Sequence, residues 1–169
     1  MDDFLFSDEA LDEVNEVVQG SWKVIVVDDE PEVHAVTKLA LSDFEFQDKR
    51  LEFISAYSGE EAKQVIQQHP DAAIVLLDVV METDDAGLKV AKFIRETAKN
   101  NHIRIILRTG QPGQAPERQV IVNYDINDYK SKTELTAQKL FTVVMSSLRS
   151  YRDILSIEQS RQGLEKIIK

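Results

Sequence analysis

Strand-like apolar runs alternate with helix-like segments along most of this 169-residue chain, and that alternation confines it to a parallel α/β sheet joined by right-handed crossovers. From Trp22 onward the order is strand VIVV, helix from Pro31 to about Ser42, strand LEFISA, helix from Gly59 to His69, strand AIVLL, helix from Gly87 to Ala98, and strand IRIIL. A shorter helix follows Pro116, then a weak strand around Asp128 and Tyr129, then a long helix from Glu134. AIVLL is apolar throughout, as a central strand covered on both faces requires. Pro31 suits a first helical turn, and Ser58 before Gly59-Glu60-Glu61 is an N-cap with a Glu at the third position.

With 43% hydrophobic residues, the chain can build one domain with a real core and not two. We therefore expect an acidic, helical N-terminal extension over residues 1–20, one domain over 21–150, and a projecting C-terminal helix or linker over 151–169. In the extension, Leu11, Val14 and Val18 fall at helical spacing before Gly20-Ser21 breaks the pattern. In the last helix, apolar positions at Leu140, Val144, Leu148, Tyr151 and Leu155 run past what a small sheet is expected to cover. Leu164 and Ile168 extend the spacing, which fits a connector or a short dimeric coiled coil. No apolar run approaches the roughly 20 residues of a membrane span, and the amino terminus is acidic where a secretory signal would be basic, so a cytoplasmic protein is expected. The absence of cysteine excludes disulfides and thiolate metal sites. A net charge of -10 argues against direct nucleic-acid binding, which needs clustered Lys and Arg.

The carboxyl ends of parallel strands share one edge of the sheet, where such folds bind ligands. Here those ends carry Asp28-Asp29, Asp78, Thr109 and, just past the last strand, Lys132. Three convergent carboxylates repel one another, each close pair by about 4 kcal/mol at about 4 Å and an effective dielectric near 20. A hard divalent cation removes that cost, and oxygen-only ligation that leaves room for waters points to Mg2+. With the charge offset, Asp78 can attack phosphorus and form an aspartyl phosphate. The Lys132 ammonium would stabilise the phosphoryl oxygens, Thr109 would donate a hydrogen bond, and small Gly110 leaves room beside it.

The motifs VVDDEP, LLDVVM, the Thr-Gly after the fourth strand, and DYKSK resemble the receiver domains of two-component response regulators over roughly residues 22 to 150. The resemblance implies a doubly wound (βα)5 flavodoxin-like fold with a five-stranded parallel sheet of order 2-1-3-4-5 and, here, an extended C-terminal helix. It implies Asp78 as phosphoacceptor, Mg2+ held by Asp28, Asp29, Asp78 and the backbone carbonyl of Val80, and phosphate binding and switching by Thr109, Gly110, Lys132 and Tyr129. It implies a sensor histidine kinase or phosphotransfer protein as donor, self-phosphorylation and autodephosphorylation rather than enzymatic turnover, and a switched face on the fourth helix, fifth strand and fifth helix. That face would control an output domain or partner or pair two copies.

Three positions depart from the family pattern. Glu82 stands where Pro usually follows Met81, Gly87 lies one residue late, and Thr133 replaces the Pro after Lys132, leaving the geometry of that peptide bond open. The stretch RTGQPGQAPE, with the acidic loop at 82–85, is similar to a subgroup in which the receiver precedes an HD-GYP cyclic di-GMP phosphodiesterase; none of His34, His69 and His102 is followed by Asp, so that catalytic site is not expected in this chain. Lys130 is the rival for the site lysine, His34 is read as a surface residue, the acidic loop as solvated, and Gln111-Pro112-Gly113 as a turn. Two other classes compete. An aspartyl-nucleophile phosphatase needs Asp-x-Asp, and position 80 is Val. A phosphate-independent pseudo-receiver would keep the fold and ignore phosphate.

Overall fold

The computed structural model describes residues 20–110, 118–132 and 136–168. The N-terminal extension, the Gln111-Pro112-Gly113 turn, Pro116, and the peptide bond from Lys132 to Thr133 lie outside the described residues. The elements are β1 (Ser21–Val27), α1 (Pro31–Ala40), β2 (Arg50–Ala56), α2 (Gly59–Gln68), β3 (Ile74–Asp78), α3 (Ala86–Lys92, followed by a π turn at Phe93–Thr97), β4 (Arg104–Thr109), α4 (Arg118–Asn123), β5 (Ile126–Ser131) and α5 (Ala137–Ile168). The five strands pair in parallel, as the alternation predicts, and in the order β2-β1-β3-β4-β5 that the resemblance implies. No described helix is long and apolar enough to cross a membrane.

Strand alternation divides the core into two. Ile25, Val27, Val75, Leu77, Ile105 and Leu107 meet α2 and α3 on one face. Val24, Val26, Ile74, Leu76 and Ile106 meet Leu41, Leu140, Val144 and Leu148 beneath α1 and α5 on the other. The β4–β5 register slips at Asn127, whose side chain takes the Ile105 N–H at 2.7 Å. Because side chains alternate, that one-residue bulge re-phases all that follows and sets Tyr129 opposite Leu107 and Ser131 opposite Thr109. At the opposite edge of the sheet, Arg95 in the π turn donates to the carbonyls of Tyr124, Asn100 and Asp125 at 2.8–2.9 Å, clamping the α4–β5 corner.

Two expectations need correction. The third helix begins at Ala86, and its last turn is π rather than α. The apolar surplus of the last helix begins later than expected: Tyr151 stacks edge-on against Trp22 and donates to the Asp71 carbonyl, and Leu155 still packs on the core. The reason is length. A seven-residue strand spans about 23 Å and the turns below it add cover, so the body accommodates a helix run of roughly 27 Å from Ala137 to Leu155.

Candidate phosphoacceptor site

The apolar strand β1 delivers Asp28 fully buried at its end, tied by its N–H to the Ala56 carbonyl at 3.1 Å. One Asp28 oxygen accepts the Glu30 N–H at 2.9 Å, which closes the turn into α1. The Asp28 carbonyl accepts from His34 Nε2 at 2.8 Å, and His34 Nδ1 lies 2.9 Å from the Ser55 hydroxyl. A carbonyl only accepts, so Nε2 carries the proton and Nδ1 takes the hydroxyl hydrogen. His34 is 2% exposed and stacked on Tyr57; the expectation of a surface histidine is overturned, because the polar end of β1 needs a polar partner under α1.

Asp78 ends β3, also buried. Next to it, Val79 donates to the Arg108 carbonyl at 3.1 Å and accepts the Gly87 N–H at 2.9 Å. A Cβ on Gly87 would lie 2.1 Å from the Asp78 carbonyl oxygen, so only glycine lets α3 start against this backbone. The loop between them is anchored by Glu82, whose carboxylate accepts the Gly59 N–H at 2.9 Å at the start of α2, where Ser58 caps Glu61 at 3.1 Å. That bonding, led by Gly59, holds the Glu82 carboxyl below its ordinary range. Thr83 donates to Asp85 at 2.9 Å; the acidic stretch is exposed, and its Glu82 works as a tether to α2.

Ligand oxygens of Asp28, Asp29 and Asp78 lie within 4.8 Å of one another. Lys132 is brought to them because its N–H donates to the Thr109 carbonyl at 2.7 Å. Its ammonium sits 2.9 Å from Asp28 Oδ2 and 3.3 Å from Asp78 Oδ2. Lys130 instead pairs with Asp128 at 3.8 Å. Burial, and then the neighbouring Asp28 charge, push the Asp78 carboxyl up to about 6 against the pull of Lys132. Burial pulls Lys132 down, and the two carboxylates outweigh it, leaving the ammonium above its ordinary value. Thr109 is buried at the end of β4, and among the described residues a side chain at Gly110 would meet nothing within 4 Å. Tyr129 packs on the core while its hydroxyl, buried, has no hydrogen-bond partner among the described residues.

The donor set fits a hard divalent ion: oxygens only, with neither His34 nitrogen free to ligate. One charged neighbour escaped the sequence reading. Arg108, 4% exposed, donates to Thr37 of α1 at 3.0 Å, and its signal was a cation inside an apolar run.

The sequence matches two family descriptions, the response regulator receiver domain over residues 24–145 and a domain of unknown function, DUF3369, over residues 144–169. A curated relative, 3'3'-cGAMP-specific phosphodiesterase 2 of Vibrio cholerae serotype O1, is 50% identical over 170 residues, covering 97% of this chain and 33% of the relative. The chain thus spans about a third of that protein's length. Among solved structures, a CheY-like response regulator receiver domain protein from Methanospirillum hungatei JF-1 superposes with a TM-score of 0.63 at 25% identity, covering 78% of this chain and 97% of that one. A CheX-CheY-BeF3-Mg+2 complex from Borrelia burgdorferi gives 0.60 at 25% identity, with 74% and 87% covered. With the sheet order, the acidic cluster and the family match over residues 24–145 in agreement, this chain belongs to the response regulator receiver domain family.

Proposed function

We propose that this chain is a phosphorylatable receiver in which Asp78 accepts a phosphoryl group from the phosphohistidine of a sensor histidine kinase or phosphotransfer protein. The observation that carries the reading is the convergence of Asp28, Asp29 and Asp78 with Lys132 on the carboxyl edge of the sheet. An Asp78 oxygen forms the new O–P bond as the N–P bond breaks, and the imidazole leaves with the bonding pair and takes up a proton. Asp28, Asp29 and Asp78, with the Val80 carbonyl, would hold Mg2+, which offsets negative charge during transfer. The Lys132 ammonium, now bridging Asp28 and Asp78, turns to a phosphoryl oxygen, and Thr109 with the backbone at Gly110 receives another. Movement of Thr109 makes room for Tyr129, whose unpartnered hydroxyl leaves it free to change its setting. The face of α4, β5 and α5 then changes shape, a two-state element biased by a local charge event.

The 50% identity to a cyclic dinucleotide phosphodiesterase, and the DUF3369 match along α5, support a receiver that regulates an output domain of that class in a longer protein. We keep the division into a 1–20 extension, a 21–150 receiver and a 151–169 connecting helix as part of this proposal.

Intact mass after incubation with acetyl phosphate and Mg2+ tests the reading. A phosphoryl adduct is expected on the wild type and not on Asp78→Ala. No adduct, under conditions where a standard receiver labels, would leave a phosphate-independent binding module as the function.

A further inference from the structure

Arg108 is a buried charge beside the site that the proposed chemistry does not use. It is buried at the end of β4, pairs in register with Asp78 across the β3–β4 ladder, and points to the same α1/α5 side of the sheet. One guanidinium nitrogen donates to Thr37, while Nε and Nη2 have no hydrogen-bond partner among the described residues. Buried charged donors are ordinarily satisfied, so an unsatisfied pair beside an acidic cluster calls for a cause. Arg108 and Lys132 both line a cleft of about 300 Å³ between α1 and α5, so two cations approach the carboxylates, Lys132 in direct contact and Arg108 from beneath. Arg108 lies within electrostatic reach of both Asp28 and Asp78, yet it forms no ion pair with either within 4.0 Å.

We propose that Arg108 is a fixed counter-charge of the phosphoacceptor site, weakening its hold on the divalent cation and favouring the extra negative charge that phosphorylation of Asp78 brings. The inference rests on the receiver reading. The three acids carry -3; Lys132 brings the cluster to -2 and Arg108 to -1, and the smaller that remaining charge, the less a divalent cation gains by binding. Arg108 touches neither Asp28 nor Asp78 within 4.0 Å, where Lys132 touches both, so its role is positioning through the field. A purely structural arginine would act only through its Thr37 bond to α1.

Calorimetric Mg2+ titration at pH 8 separates the two roles. Arg108→Gln, which keeps a donor for Thr37, is expected to bind Mg2+ about tenfold more tightly and to label more slowly with acetyl phosphate. Arg108→Lys should return the affinity towards wild type, and Thr37→Val, which removes the hydrogen bond and keeps the charge, should leave it unchanged. Wild-type affinity in Arg108→Gln, or an equal shift in Thr37→Val, would overturn the inference. If Arg108→Gln does not fold, an Arg108→Lys affinity unlike wild type in a folded protein would overturn it. A wild type that takes up no Mg2+ would overturn the receiver reading itself, and with it this inference.

Discussion

At the scale of the residue, Asp78 is held in a state that opposes its own ionisation. Its folded carboxyl titrates at about 6 and its unfolded one near 3.8, so over that window the folded protein binds the proton that the unfolded chain has lost. Stability of the metal-free protein therefore falls as pH rises from about 4 to about 6 and stays lowered above. A carboxyl raised that far above its ordinary value costs the folded state at most about 3 kcal/mol once ionised. Asp78→Asn removes the ionisation and should stabilise the metal-free protein at pH 7 by about 1–3 kcal/mol, with the gain fading below pH 4; urea unfolding at both values checks it. Equal stability of variant and wild type at pH 7 would mean that burial and Asp28 do not burden Asp78.

At the scale of the element, Asp78 is placed by what packs against the end of β3. Gly87→Ala would set a methyl 2.1 Å from the Asp78 carbonyl oxygen and 2.7 Å from the Val79 Cα, both backbone, so α3 or β3 must shift. A loss of about 3 kcal/mol or more is expected in thermal unfolding. The sequence pointed to Gly87 only as a glycine one place late; the close approach that requires it belongs to the third dimension. Strand ends were legible because apolar runs stop where Asp28, Asp78 and Thr109 begin. The inner face of α1 was not: Val36 and Leu39 are exposed, whereas His34 and Thr37 are buried to serve the Asp28 carbonyl and Arg108. Hydrophobic periodicity assigns a face wrongly when the surface beneath a helix is itself polar. The Asn127 bulge was equally hidden, since a period of two gives no sign of where it will slip.

At the scale of the whole molecule, α5 serves two regions at once. Its first turns wall the cleft that holds Lys132 and Arg108, through Ala137 and Leu140, and its middle closes the core as far as Leu155. Beyond that, Ile157 and Leu164 are 68% and 60% exposed and stand seven residues apart, one heptad on a single face. Two exposed apolar side chains among the described ones are too few for a stable dimer alone, so pairing through them would depend on added contact from a second surface. The α4–β5–α5 face, proposed to change shape on phosphorylation, includes the same helix and would supply it. Light scattering should then show a higher mass in the presence of Mg2+ and a phosphate mimic than without, and Ile157→Lys with Leu164→Lys should abolish the increase while leaving acetyl phosphate labelling intact. An unchanged mass in the wild type would assign the exposed heptad to an output domain rather than to a second copy of this chain. If labelling also failed in the double variant, the helix end would be acting on the site itself rather than on assembly.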